Sequence, residues 1–194
     1  MTRTLLIVAA WLLAATAASA QPRDWHFRVL LDDAEIGRHR FTLRENGAGR
    51  ELRSEARFTV TFLAIPVYRY EHQATETWSD GCLRALDSRT DDDGERLAVN
   101  WRAPEGGCHM SFAYWNPQIL KADRLLNAQT GEMQPVQVQA LGEESIEVRG
   151  TRVRAQRYRL SAPRLQIDIW HDDGHWVALE SLAKGGRRLR YELL

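Results

Sequence analysis

From Asp24 onward the chain alternates apolar and polar side chains with a period of two, and that alternation restricts it to half-buried β-strands. Trp25, Phe27, Val29 and Leu31 fall on one face of a first strand, and Asp32-Asp33-Ala34-Glu35 turns the chain back. In the second strand Gly37, His39, Phe41 and Leu43 oppose Arg38, Arg40 and Arg44, before a turn at Asn46-Gly47-Ala48-Gly49, where Asn and Gly tolerate positive φ. The third strand sets Leu52, Ser54, Ala56, Phe58 and Val60 against Glu51, Arg53, Glu55, Arg57 and Thr59. Together these form an antiparallel meander with one wet face.

Further strands are expected over Tyr68–Trp78, Leu83–Thr90, Arg96–Trp101 and Met110–Tyr114. Others follow at Met133–Leu141, Ser145–Arg149, Val153–Leu160, Leu165–His171, Trp176–Leu182 and Arg188–Leu193. One short helix is expected after Asn116-Pro117, an N-cap followed by a first-turn proline. No repeat, linker or low-complexity tract divides the chain, so residues 21–194 read as a single all-β domain. An antiparallel sheet of roughly ten or more strands does not stay flat, and a curved sheet or half-open β-barrel is expected.

Residues 1–20 read as a signal peptide: Arg3 is the positive end, Leu5 to Ala15 the apolar run, and Ala18-Ser19-Ala20 a small-x-small cleavage site. The run is shorter than the about 20 apolar residues of a membrane span, so no transmembrane segment is expected after cleavage. The expected compartment is periplasmic or secreted. There the two cysteines, Cys82 and Cys108, can pair, and a disulfide between them is expected. The chain has 26 basic and 26 acidic side chains, with Arg interleaved among Asp and Glu, which argues against nucleic acid as a partner.

The strand Tyr68–Trp78 is unusual because its apolar face, Tyr68, Tyr70, His72, Ala74, Glu76 and Trp78, includes a histidine and a carboxylate. His39 shares the corresponding face of the second strand. A histidine and a carboxylate on a concave aromatic wall can orient the polar head of an amphipathic ligand, with Trp25, Phe41 and Phe58 completing the wall. The same groups can equally pair with one another, or with Tyr70 and Ser54, as a satisfied core network. No Gly-x-Ser-x-Gly, Ser-x-x-Lys or His-Glu-x-x-His signature occurs, so no catalytic residue is assigned. The His171-Asp172-Asp173-Gly174-His175 and Asp91-Asp92-Asp93-Gly94 tracts read as hairpin turns, and no metal or cofactor is expected. Phe62-Leu63-Ala64-Ile65-Pro66-Val67 is an apolar connection where loops normally face water; it either plugs one end of the core or forms an exposed lip.

Several strings carry a resemblance: Cys82-Leu83, Thr90-Asp91-Asp92-Asp93-Gly94, Phe112-Ala113-Tyr114-Trp115-Asn116-Pro117, Leu126-Asn127-Ala128-Gln129-Thr130-Gly131-Glu132 and Leu189-Arg190-Tyr191-Glu192-Leu193. They resemble a family of bacterial exported proteins catalogued as domain of unknown function 6134, over essentially the whole chain after residue 20. The order of the C-terminal strands looks more loosely like domain of unknown function 3108. The resemblance implies an antiparallel envelope fold and no activity. The two functional expectations are therefore a binder of a lipid-like molecule and a non-enzymatic structural or envelope-protein interaction module with a self-filled core.

Overall fold

The structure, a computed structural model, describes residues 23–47 and 49–194. The expected signal peptide, its cleavage point after Ala20 and the Ala48 position of the second turn lie outside the described residues.

The strands are β1 (Arg23–Leu31), β2 (Ala34–Asn46), β3 (Gly49–Phe62), β4 (Ile65–Ser79), β5 (Cys82–Asp92), β6 (Glu95–Arg102), β7 (Arg124–Leu126), β8 (Met133–Pro135), β9 (Gln137–Val148), β10 (Thr151–Ala162), β11 (Leu165–Asp172), β12 (His175–Leu182) and β13 (Arg188–Leu193). Eleven of them form one antiparallel sheet in the order β6-β5-β4-β3-β2-β1-β13-β12-β11-β10-β9. The sheet is curved but not closed, because β6 and β9 remain its two edges. Pairing of β1 with β13, from Phe27↔Leu193 to Leu31↔Leu189, joins the N-terminal and C-terminal meanders into that one sheet. At Gly37 the backbone of β2 approaches β3 so closely that a Cβ would collide with the carbonyl oxygen of Arg57, which is why this strand position is glycine.

The chain between β6 and β9 crosses the inner face of the sheet. Its buried residues Met110, Trp115, Ile119, Leu125 and Leu126 belong to the same core cluster as Phe27, Leu52, Trp78 and Leu83 from the strands. A disulfide between Cys82 and Cys108, with Cα atoms 5.0 Å apart, fastens the start of this crossing to β5. Beside it the Leu83 amide donates to the His109 carbonyl at 2.8 Å.

Two local expectations are corrected and one, the short helix, is refined. Met110–Tyr114 is not a strand of the sheet: it crosses the inner face as irregular chain and makes only an isolated bridge, between Ser111 and Leu126. The helix after Asn116 is a 3-10 turn, Pro117–Lys121, whose cap is formed as expected by Asn116 accepting from the Gln118 amide. It buries Ile119 alone, too little to propagate an α-helix. Met133–Leu141 is broken at Val136: Met133–Pro135 pairs with β7 in a separate two-stranded sheet, and Gln137 opens β9.

Candidate functional site

The crossing segment does not fill the inner face completely. It leaves a cavity of about 300 Å³ bounded by β2, β3, β4, β11, β12 and β13 below and by residues of 112–115 and 127–129 above. Aromatic and aliphatic side chains such as Phe41, Phe112, Ile167, Trp176 and Leu179 form most of the wall. The polar lining consists of His39, Ser54, Tyr70, His72, Glu76, Tyr114, Asn127, Gln129, Ser181 and Tyr191, with neither Lys nor Arg among it.

Strand alternation explains why the polar groups converge. Ala56 on β3 sits opposite both His39 on β2 and His72 on β4, so the two histidines flank it in one row, and Glu76, opposite Leu52, lies four residues from His72 along the same face of β4. His39 is fully engaged by the protein: Nε2 is 2.7 Å from Ser54 Oγ and Nδ1 is 3.2 Å from Tyr191 Oη. Burial, then the nearby His72, lowers the His39 pKa to about 3. His72 Nδ1 lies 2.8 Å from Thr90 Oγ1, and burial lowers its pKa to about 4. Both rings are therefore neutral at neutral pH.

Glu76 is buried, and its Oε2 accepts a hydrogen bond from Trp78 Nε1 at 2.9 Å. Burial raises its pKa to about 7, partly opposed by Ser111 and Trp78. The Ser111 hydroxyl is itself buried and completes no hydrogen bond among the described residues. With a carboxyl that is half ionised near pH 7 beside neutral imidazoles and phenols, the pocket is polar and holds no positive charge.

A second network closes the rim. Tyr70 Oη donates to Gln129 Oε1 at 3.2 Å, and Tyr68 Oη donates to Asp92 Oδ1 at 2.6 Å. Gln129 is presented by the 127–131 turn, in which Asn127 Oδ1 accepts from the Gln129 amide at 2.8 Å and Ser88 Oγ donates to the Ala128 carbonyl at 2.5 Å.

Of the residues expected from sequence, His39, Tyr70, His72 and Glu76 line the cavity, as does Phe41. Tyr68 lies at the rim in its bond to Asp92. Trp78 packs edge-on against Trp115 at 5.4 Å between ring centroids and supports Glu76 from behind. Trp25 packs on Trp176 at 6.3 Å, and Phe58 stacks on Tyr70 at 5.3 Å. His171 bonds the Tyr114 carbonyl at 3.0 Å, which ties β11 to the crossing segment. Phe62–Val67 is an exposed lip, and the alternative of a core plug is excluded by the exposure of Phe62, Leu63, Ile65 and Val67.

Sequence reasoning did not single out Tyr114, Gln129 and Tyr191 as site residues. Each lies in one of the strings that carry the family resemblance, Phe112–Pro117, Leu126–Glu132 and Leu189–Leu193. Among the described residues, no helix is long and apolar enough to cross a membrane.

No curated protein and no solved structure matches the chain. The model of one family, described as "Domain of unknown function (DUF6134)", matches residues 27–194, a span that holds the whole cavity lining, and the chain belongs to that family.

Proposed function

We propose that this protein is a non-catalytic binder of a small amphipathic, lipid-like molecule, held in the inner-face cavity and acting outside the cytoplasm. The observation that carries the reading is the unfilled space of about 300 Å³ whose wall is mostly apolar and whose polar groups include no cation. That volume is at the small end of ligand pockets, so it suits a compact molecule or the head and first carbons of a longer one. With no cation in the lining and both histidines neutral, an anionic head would be buried unpaired at high cost. The ligand head is therefore a neutral hydrogen-bonding group, a hydroxyl, ester or amide. His72 Nε2, the Tyr114 hydroxyl and the Glu76 carboxyl are the groups proposed to meet it, since both nitrogens of His39 are already used within the protein. Export is supported by the leader-like residues 1–20 and by the disulfide, which requires an oxidising compartment.

Titration with the neutral apolar dye N-phenyl-1-naphthylamine tests the reading. Saturable binding is expected, with displacement by a monoacylglycerol and not by the matching fatty-acid anion. Ala74→Phe, which fills the cavity, should abolish binding while the protein still melts cooperatively. Absence of saturable dye binding would instead favour the self-filled interaction module, a reading supported by the internally satisfied His39.

A further inference from the structure

The β3–β4 hairpin has the backbone of the β1–β2 turn, where Asp32 and Asp33 are also left-handed, but places apolar residues there. Its two turn residues, Leu63 and Ala64, have φ of 48° and 66°, the left-handed region in which Asn and Gly are favoured and a branched or methyl side chain is strained. The tip is apolar as well as strained: Phe62 is 66%, Leu63 81%, Ile65 65% and Val67 54% exposed. No charged residue occurs between Arg57 and Arg69.

The hairpin also stands clear of its neighbours. The ladder with β2 ends at Gly37↔Phe58, and on the other side β5 ends opposite Tyr70 at Asp92. At about 3.3 Å per residue, the four residues Thr59 to Phe62 carry the tip about 13 Å past the last β2–β3 pair. Register places the cross-strand pair Phe62 and Ile65 on one face of this projection and Pro66, opposite Thr61, on the other, with Val67 an extra residue at a bulge. Apolar groups therefore occupy both faces and the tip.

We infer that this hairpin is a membrane-docking tongue whose tip enters the headgroup and upper acyl region of a lipid surface. A protein groove would cover one face of a hairpin, whereas a lipid interface surrounds the whole tip. The length suits the task, because interfacial elements bury to about 5–10 Å. Charge complementarity adds to it. Arg57 and Arg69, both exposed, stand at the root of the tongue, and neither makes an ion pair among the described residues, so both guanidinium groups are available to anionic headgroups. Of the acids beside them, Glu71 stands opposite Arg57 in the ladder without forming an ion pair, and Asp93 accepts from the Arg69 backbone amide at 3.2 Å rather than from its guanidinium. This inference stands apart from the cavity reading and does not require a bound ligand.

The test places an environment-sensitive fluorophore on Leu63→Cys, and in a second protein on Asp173→Cys in the β11–β12 turn. Both use the full chain, in which Cys82 and Cys108 are already paired. With vesicles of phosphatidylcholine and phosphatidylglycerol, the probe at position 63 should shift to the blue and be quenched by nitroxide-labelled lipid, and the probe at position 173 should do neither. Leu63→Asn with Ala64→Gly, which suits the turn but removes the apolar tip, should lower vesicle binding at least fivefold. A probe at 63 that stays aqueous on vesicle-bound protein overturns the inference, as does unchanged binding of the double variant. Self-association that buries the probe without vesicles would overturn it in favour of a second copy of the chain.

Discussion

The Glu76 carboxylate and the Trp78 indole are joined by a 2.9 Å hydrogen bond two residues apart on one face of β4, both of them buried. The indole is the carboxylate's one hydrogen-bond donor of normal geometry among the described residues, so most of the cost of burying the charge is uncompensated.

That cost gives Glu76 a definite pH signature. Its pKa is raised to about 7 in the folded protein, above the value of an unfolded glutamate, so its contribution to stability is complete at low pH and is lost as pH rises toward 7. Glu76→Gln should remove the trend, gaining about 2 kcal/mol relative to wild type between pH 5.5 and pH 8. Urea unfolding at the two pH values checks it; equal pH dependence in both proteins would refute it.

His72 acts in the opposite direction. Its folded pKa is lowered to about 4, so its contribution is present above the unfolded value near 6.5 and is lost as pH falls below it. His72→Gln should therefore narrow the gap in stability between pH 7.5 and pH 4.5 by about 2 to 3 kcal/mol, measured by the same unfolding curves. Below pH 6.5 the histidines and Glu76 oppose one another, which is why single variants are needed to separate them.

The disulfide spans 26 residues and pins the crossing segment to β5. Replacing Cys82 and Cys108 together by Ser should cost about 3 to 4 kcal/mol through the entropy of the unfolded chain. Thiol-free and wild-type proteins compared by thermal melting under non-reducing conditions give the number, and melting at equal temperature would exclude a structural role.

The tongue carries its own stability prediction. Two non-glycine residues in the left-handed region cost about 1 to 2 kcal/mol each, and Leu63→Asn with Ala64→Gly relieves both. The double variant should unfold at a higher denaturant concentration than wild type. A lower midpoint would mean that the apolar tip is packed and not projecting.

What was legible in the sequence follows from what period two encodes. Alternation fixes which side chains share a face, and so Trp25, Phe27, Val29, Phe41 and Leu52 fall in the core as expected. It also places His39, His72 and Glu76 on one surface, since those are matters of parity within β2 and β4. It carries no information about what lies across that surface. Tyr114 and Gln129 reach the cavity through an irregular crossing segment whose position is set by Ile119 and Leu125 packing far from it in sequence. Met110–Tyr114 shows the limit from the other side: its alternation between buried Ser111 and Ala113 and half-buried Phe112 and Tyr114 resembles a strand, but the segment lies across the inner face, where it makes one isolated bridge and no ladder.

The central claim is that the inner-face cavity holds a neutral-headed amphipathic molecule, and native mass spectrometry of the protein isolated without detergent from the cell envelope fraction tests it most directly. The account predicts a stoichiometric non-covalent adduct that extracts into organic solvent as an uncharged-headed lipid, with Ala74→Phe isolated in the same way carrying none. A wild-type mass equal to that of the bare chain, together with no uptake of added monoacylglycerol, would contradict it.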